Sequence, residues 1–266
     1  MSEEPMLLRE RHGAVALLRL NLPARMNPLT LPLQQALRDT LAELRADPSV
    51  RALLLTGTGK AFCVGADLAS MSPPEQGSLG QQTADTMQAL SNRLIEELRS
   101  LPFPVLSAVN GACAGAGVGL ALAADVVLAA HSAYFYLPFM PRLGIVPDLG
   151  TTWFLERSVG RARAVALSLL GERLGAEQAA QWGLVWRCVD AAVLHDEALQ
   201  MAQRLAALPA HAAPEIRAVY ELAGCQTLPE QLHSEADRQR ELIDRPAFGE
   251  GVRAFLSKRE PVFAPR

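Results

Sequence analysis

The 266-residue chain predicts an α/β fold with a helical C-terminal region. Three observations carry that reading. Short apolar runs alternate with segments of helical period, as strands and crossover helices do. Two stretches, "ALLLTGTGKAFCVGAD" (52–67) and "PVLSAVNGACAGAG" (104–117), share one plan: a buried strand, a glycine turn, a second extended stretch and a Gly/Ala corner. Beyond about Arg161 the pattern becomes mostly helical.

Taken in order, "VALLRLN" (Val15–Asn21) is a strand. "TLPLQQALRDTLAELRAD" is a helix with Thr30 as its cap, because Leu33, Leu37, Leu41 and Leu44 recur on one face. "RALLLTG" (Arg51–Gly57) is a buried strand closed by glycine. Ser70–Gly80 is rich in Ser, Pro and Gly and reads as a loop, and Gln81–Ser100 as a helix. "FPVLSAVNG" is a strand ending in a turn, "AGVGLALAA" a helix of small residues, and "DVVLAA" a strand. "LGIVPDLGTTWFLERSVG" is a turn followed by a helix. One more strand is expected near Leu184–Val189, and the last helix at Gly249–Ser257. The division implied is a core over 1–198 and a helical region over 199–266, with no linker between them.

Composition limits the partners. Half the residues are hydrophobic, ample for a core, and the net charge of −3 gives no reason to expect nucleic acid or an anionic membrane. Cys63, Cys113, Cys188 and Cys225 are scattered, with no CxxC or Cys/His cluster, so no disulfide framework, zinc site or other metal site is indicated. Each reads as a small buried residue, and a reducing cytoplasm fits. The N-terminus carries Glu3, Glu4, Arg9, Glu10 and Arg11 before any apolar run, unlike a signal peptide. Ser107–Ala124 approaches the roughly 20 residues of a membrane span, but Asn110 and four glycines interrupt it and Asp125 ends it.

The chemistry centres on two corners, Gly65–Ala66–Asp67 and Gly115–Ala116–Gly117. Small residues there let a ligand approach the backbone, and the first N–H groups of a helix have no internal partner. Two such corners aimed at one point would form an oxyanion hole; close helix–strand packing accounts for them equally well. No GK[ST] follows, which excludes a Walker A loop, and the acidic residue of a Rossmann fingerprint is missing. Asp148, in "VPDLGTTW", is either a working carboxylate or the cap of the helix beginning near Leu149.

"GTGKAFCVGADL" (Gly57–Leu68), followed by "AVNGACAGAGVGLALAADVVLAA", strongly resembles the crotonase superfamily of enoyl-CoA hydratases and isomerases. "ARMNPLT", "RLGIVPDLGTTWFLERSVG" and "GVRAFLSKREPVF" match further segments, so the likeness covers nearly the whole chain. It implies a ClpP-like spiral of ββα units, a C-terminal helical trimerisation region, a homotrimer or a dimer of trimers, and acyl-CoA thioester substrates. Coenzyme A arrives with the substrate, so no separate cofactor is implied.

The resemblance also implies residue roles. The N–H groups of Ala66 and Ala116 would hold the thioester oxygen. Arg25, Asn27, Lys60 and Ala61 match positions along the CoA arm. Cys63, Gly65, Leu68 and Gly115 flank the corners, with Asp67 ordering the first of them. Phe255 and Lys258 match C-terminal residues that reach CoA. The two glutamates of family hydratases are absent: their positions hold Gly119 and Met140. Adding water needs groups to activate it and to deliver a proton, so efficient hydration is not expected. Isomerase branches, including those acting on enoyl-CoA and on phenylacetyl-CoA ring epoxides, place an acid where Asp148 stands.

The expected activity is therefore isomerisation of an acyl-CoA through an enolate, with Asp148 moving the proton. The alternatives are a hydratase-like or haloaryl-CoA dehalogenase-like member, or a CoA-binding trimer without catalysis. No His lies between Ser70 and Ser100, against the dehalogenase, and all five histidines read as structural or surface residues. Gly119 and Met140 are expected to leave room beside the thioester. Thr151, where relatives often have Gly, would tighten the pocket, and Met71–Gly80 would line its acyl end.

Overall fold

A computed structural model describes residues 5–72 and 76–264. A leading antiparallel pair, β1 (Leu7–His12) and β2 (Val15–Leu20), is followed by α1 (Leu31–Ala46). Three units of two strands and helix then succeed one another. The first comprises β3 (Ala52–Gly57), β4 (Ala61–Cys63), α2 (Leu79–Thr86) and α3 (Asn92–Arg99), with a π turn at Met87–Ser91 joining the two helices. The second is β5 (Val105–Val109), β6 (Ala112–Ala114) and α4 (Ala116–Leu122). The third is β7 (Val126–Ala130), β8 (Tyr134–Tyr136), a π turn at Phe139–Leu143, α5 (Thr151–Val159) and α6 (Arg161–Leu170). After these come β9 (Leu174–Gly175), α7 (Ala176–Gln181), β10 (Arg187–Val189), α8 (Leu194–Ala206), α9 (Ala212–Ala223), α10 (Leu228–Ile243) and α11 (Pro246–Leu256).

The two strands of each unit go to different sheets. The first strands build a six-stranded sheet in the order β1-β2-β3-β5-β7-β10, parallel from β2 onward. The second strands build a four-stranded sheet in the order β4-β6-β8-β9. Each unit thus advances one strand in both sheets, which is the expected spiral. The geometry follows from the residues. β3 and β5 are buried along their whole length, as strands covered on both faces must be. Thr30 caps α1, its Oγ1 accepting the Leu33 N–H at 3.2 Å, and Leu33, Leu37 and Leu41 point into the core with Phe62 and Phe103.

Several elements differ from the expectation. β1 was not anticipated, because its alternate residues Arg9 and Arg11 are exposed at the sheet edge and mask the strand pattern. β8 and β9 are too short to show a period, and β10 is only Arg187–Val189. A division after residue 198 would cut α8 in two. Ala198 and Ala202 are fully buried, and α8 packs against β2, β3, β5 and β7, so it belongs to the core and the helical region begins after it. Cys63 and Cys113 are buried as expected, but Cys188 is half-buried and Cys225 is exposed. Among the described residues no helix is long and apolar enough to cross a membrane.

One side chain fastens the helical region to the core. Arg217 of α9 donates from Nε and Nη2 to the two carboxylate oxygens of Asp125, both at 2.6 Å. It also donates to the carbonyls of Arg99 (2.8 Å), Leu101 (2.5 Å) and Phe103 (3.0 Å). Asp125 in turn accepts the N–H of Val105 at 2.8 Å, at the start of β5. Removing the guanidinium would strand a largely buried carboxylate and three carbonyls. Arg217→Ala is therefore expected to destabilise the fold by about 3–5 kcal/mol in urea unfolding at neutral pH.

Candidate active site

The site forms where the second strands of the first two units end. After β4 the chain turns at Gly65 (φ +87°), and after β6 it turns at Gly115 (φ +52°) into α4. The two turns press together so closely that side chains are excluded. A Cβ on Gly65 would lie 2.9 Å from the Ala116 nitrogen, and one on Gly117 would lie 2.3 Å from the Cys63 carbonyl oxygen. The corners are held from outside by the Leu29 N–H to the Gly65 carbonyl (2.8 Å) and the Gly115 N–H to the Tyr136 carbonyl (2.9 Å). Among the described residues, neither the Ala66 N–H nor the Ala116 N–H donates a hydrogen bond. Both residues face a cavity of about 200 Å³.

Asp148 lines the same cavity from the third unit. Its Oδ1 is buried without a hydrogen-bond partner, and burial pushes the carboxyl up to about 6. The helix-cap alternative fails on geometry. α5 begins at Thr151, its cap is Gly150, and no side chain caps it; the Asp148 backbone carbonyl, not the carboxylate, accepts the Thr151 N–H (2.9 Å). The carboxylate is held over the cavity by a left-handed pair, Leu149 (φ +48°) and Gly150 (φ +74°). A non-glycine residue in that region is uncommon and marks a constrained turn.

The same turn closes the space next to Gly119. A Cβ there would meet the Leu149 carbonyl oxygen at 2.4 Å and Thr151 Oγ1 at 2.9 Å. Gly119 therefore leaves no room beside the site, contrary to expectation. Thr151 is fully buried against it rather than narrowing the pocket, and Met140 lies in the π turn of the third unit, half-exposed and away from the cavity lining.

The remaining sequence candidates separate into three groups. Asn27 is fully buried and its amide is fully engaged: it donates to the carbonyls of Thr58 (2.9 Å), Ala61 (2.8 Å) and Phe62 (3.2 Å) and accepts the Leu22 N–H (2.8 Å). It shapes the β3–β4 turn and has nothing left to offer CoA. Ala61, Cys63, Gly65 and Gly115 are likewise buried; burial raises the Cys63 thiol to about 12, and its sulfur accepts the Gly65 N–H at 3.4 Å. Arg25, Lys60 and Leu68 are exposed and are not among the cavity's lining residues, whereas Asp67 lines it and is paired to Arg25 at 2.5 Å. Phe255 and Lys258 are exposed, and among the described residues none beyond Leu149 lines the cavity, so the single chain does not bring these two to the site.

Three participants were not anticipated. Asn110 donates to the carbonyls of Gly59 (3.0 Å) and Ala61 (3.1 Å), doubling the Asn27 clamp. Gln34 and Ser91 line the cavity and are buried. Gln34 sits within the apolar face of α1 and Ser91 in the π turn before α3, so periodicity could not flag either. Of the expected acyl-end loop, Met71, Ser72 and Leu79 do line the cavity, and residues 73–75 lie outside the described part.

Residues 10–266 match the family model described as enoyl-CoA hydratase/isomerase, and the chain belongs to that family. It is 43% identical over 258 residues to the 1,2-epoxyphenylacetyl-CoA isomerase of Escherichia coli strain K12, covering 97% of each chain. It is 41% identical over 252 residues to a Rhodobacter capsulatus protein named "Probable enoyl-CoA hydratase", covering 95% of each. The crystal structure of an enoyl-CoA hydratase from Polaromonas sp. JS666 superposes with a TM-score of 0.88 at 33% identity, covering 97% of this chain and 99% of that one. The fold is the crotonase fold, and the isomerase-type and hydratase-type relatives are about equally similar.

Two outcomes follow from the packing. Gly119→Ala is expected to lower stability by about 1–3 kcal/mol through overpacking, read as a lower urea midpoint. Gly119→Glu would not create a working hydratase, measured as the absence of crotonyl-CoA hydration. Asp148 is the opposite case. Its folded pKa lies above its ordinary value of 3.8, so the fold disfavours the charged form. That penalty is fully present above about pH 6 and vanishes below about pH 4. Asp148→Asn should therefore raise the melting temperature at pH 7.5, by up to about 3 kcal/mol of stability, with the gain shrinking as the pH falls to 4.

Proposed function

We propose that this protein is an isomerase of acyl-CoA thioesters that works through an enolate. The supporting observation is one cavity shared by two N–H groups without partners, on Ala66 and Ala116, and a half-buried carboxylate, Asp148, whose Oδ1 is buried without a hydrogen-bond partner. The thioester oxygen would accept from both N–H groups, which favour it most as it becomes negative. Asp148 removes the C2 proton and the electrons pass to the oxygen. The carboxylic acid so formed returns the proton at C4, which moves a β,γ double bond into conjugation. With a ring-epoxide thioester the same enolate could open the ring, the proton again passing through Asp148. A carboxyl near 6 is a stronger base than an exposed aspartate, yet is mostly ionised at neutral pH.

Hydration fits less well. It needs a second acid or base, and the side chains at the two corresponding positions are absent or away from the cavity: Gly119 has none and Met140 is elsewhere. We also infer an oligomer of three or six chains, supported by the exposed apolar residues Ile216, Tyr220, Leu228, Phe255 and Leu256 on α9–α11. Such an assembly would let Phe255 and Lys258 serve a neighbouring subunit's CoA.

The test is conversion of trans-3-hexenoyl-CoA, followed by the absorbance of the conjugated thioester. Wild type is expected to convert it, and Asp148→Asn to lose about 10²–10⁴-fold in kcat. The wild-type kcat/KM should rise with pH, reach half its plateau near pH 6 and stay flat above, because the base must be ionised. No conversion by folded wild type of either this substrate or a ring-epoxide thioester would overturn the reading.

A further inference from the structure

The floor of the cavity holds a polar pair that the enolate chemistry does not use. Gln34 and Ser91 are each only 5% exposed, and both line the cavity. Ser91 Oγ donates to Gln34 Oε1 at 2.6 Å, and Gln34 Nε2 donates to the Leu29 carbonyl at 3.0 Å. These partners fix the amide orientation, since a carbonyl can only accept and so must face the nitrogen. An amide nitrogen carries two hydrogens, and the second Gln34 N–H has no partner among the described residues.

Three other hydroxyls at the cavity are not equivalent to this pair. Thr83 and Thr86 turn their O–H groups back onto the carbonyls of Leu79 and Gln82 within α2, and Ser70 donates to the Asp67 carbonyl. Their needs are met locally. Gln34 keeps a buried donor at a cavity whose lining includes the apolar side chains of Leu29, Leu31 and Met87. A buried donor left unpaired is costly, and a ligand acceptor placed there recovers that cost. Ser91 lies in a π turn, an irregularity found frequently at functional sites.

We propose that the Gln34–Ser91 pair is a subsite for an oxygen atom on the acyl group, so that the natural substrate is a compact acyl-CoA bearing an acceptor oxygen away from its thioester. The Gln34 N–H donates to that oxygen, and Ser91 holds the amide in the donating orientation. A plain alkyl chain would leave the N–H unpaired, so the pair discriminates against it. The proposal deepens the isomerase reading by naming the acyl class and rests on that reading for the placement of the thioester.

The test compares two unreactive thioesters that differ by one ring oxygen, phenylacetyl-CoA and 2-hydroxyphenylacetyl-CoA, by calorimetric titration of the full-length protein. Wild type is expected to bind the hydroxylated ligand at least about fivefold more tightly, the worth of one hydrogen bond. In Gln34→Met and in Ser91→Ala the ratio should collapse toward one. Equal binding by wild type, or a ratio unchanged in both variants, would overturn the proposal. The wild-type comparison stands even if a variant does not fold. A preserved preference together with no turnover of trans-3-hexenoyl-CoA or of a ring-epoxide thioester would leave the subsite standing and refute the isomerase reading instead.

Discussion

The site depends on backbone meeting backbone without side chains between. Gly65 rests on the Ala116 nitrogen, Gly117 on the Cys63 carbonyl and Gly119 on the Leu149 carbonyl, each with less than 3 Å to spare for a Cβ. These three contacts tie together the corner after β4, the start of α4 and the turn that carries Asp148. Two sheets advancing in step bring the corners side by side, since the parallel pairing of Ala61 with Ala112 and Cys63 with Cys113 sets their relative height. A methyl group at any of the three positions would push apart the parts that must converge on one cavity.

That constraint also explains how one scaffold could support different reactions. A glutamate at position 119 requires room next to α4, whereas here the Asp148–Gly150 turn fills that room with its own backbone. The constrained Leu149 conformation brings a carboxylate to the cavity and shuts out a second acid at position 119 in the same move. The buried carboxylate is tolerated because the fold is stabilised elsewhere, notably by the five hydrogen bonds of Arg217. The energetic strain is thus local to the chemistry, and the fastening of the helical region is remote from it.

Around this centre the polar side chains divide by whether they still have bonding capacity. Asn27 and Asn110 are saturated by turn carbonyls and act as fasteners of the β3–β4 turn. Asp148 Oδ1 and the Gln34 amide are buried with capacity left over, the first as an acceptor and the second as a donor. A buried polar group with an unmet bond is the exception in folded proteins. Its presence twice in one cavity is what directs attention to a bound ligand.

The sequence by itself determined the α/β class, the long strands, the capped α1, the two glycine corners and the carboxylate, because each is written in local composition and period. It did not reveal β1, whose exposed charges conceal its edge position, or β8 and β9, which are too short to show a period. Whether Asp148 caps a helix or faces a cavity could not be read from "VPDLGTTW", since both uses need the same residue before the same helix. Only the tertiary structure decided that, through the left-handed turn at Leu149 and Gly150. Asn27 shows the reverse: its position resembled a ligand contact, but carbonyls more than thirty positions away saturate its amide N–H groups in a fully buried site. Burial and unmet bonding capacity arise from what distant segments bring, and a chain read one segment at a time does not contain them.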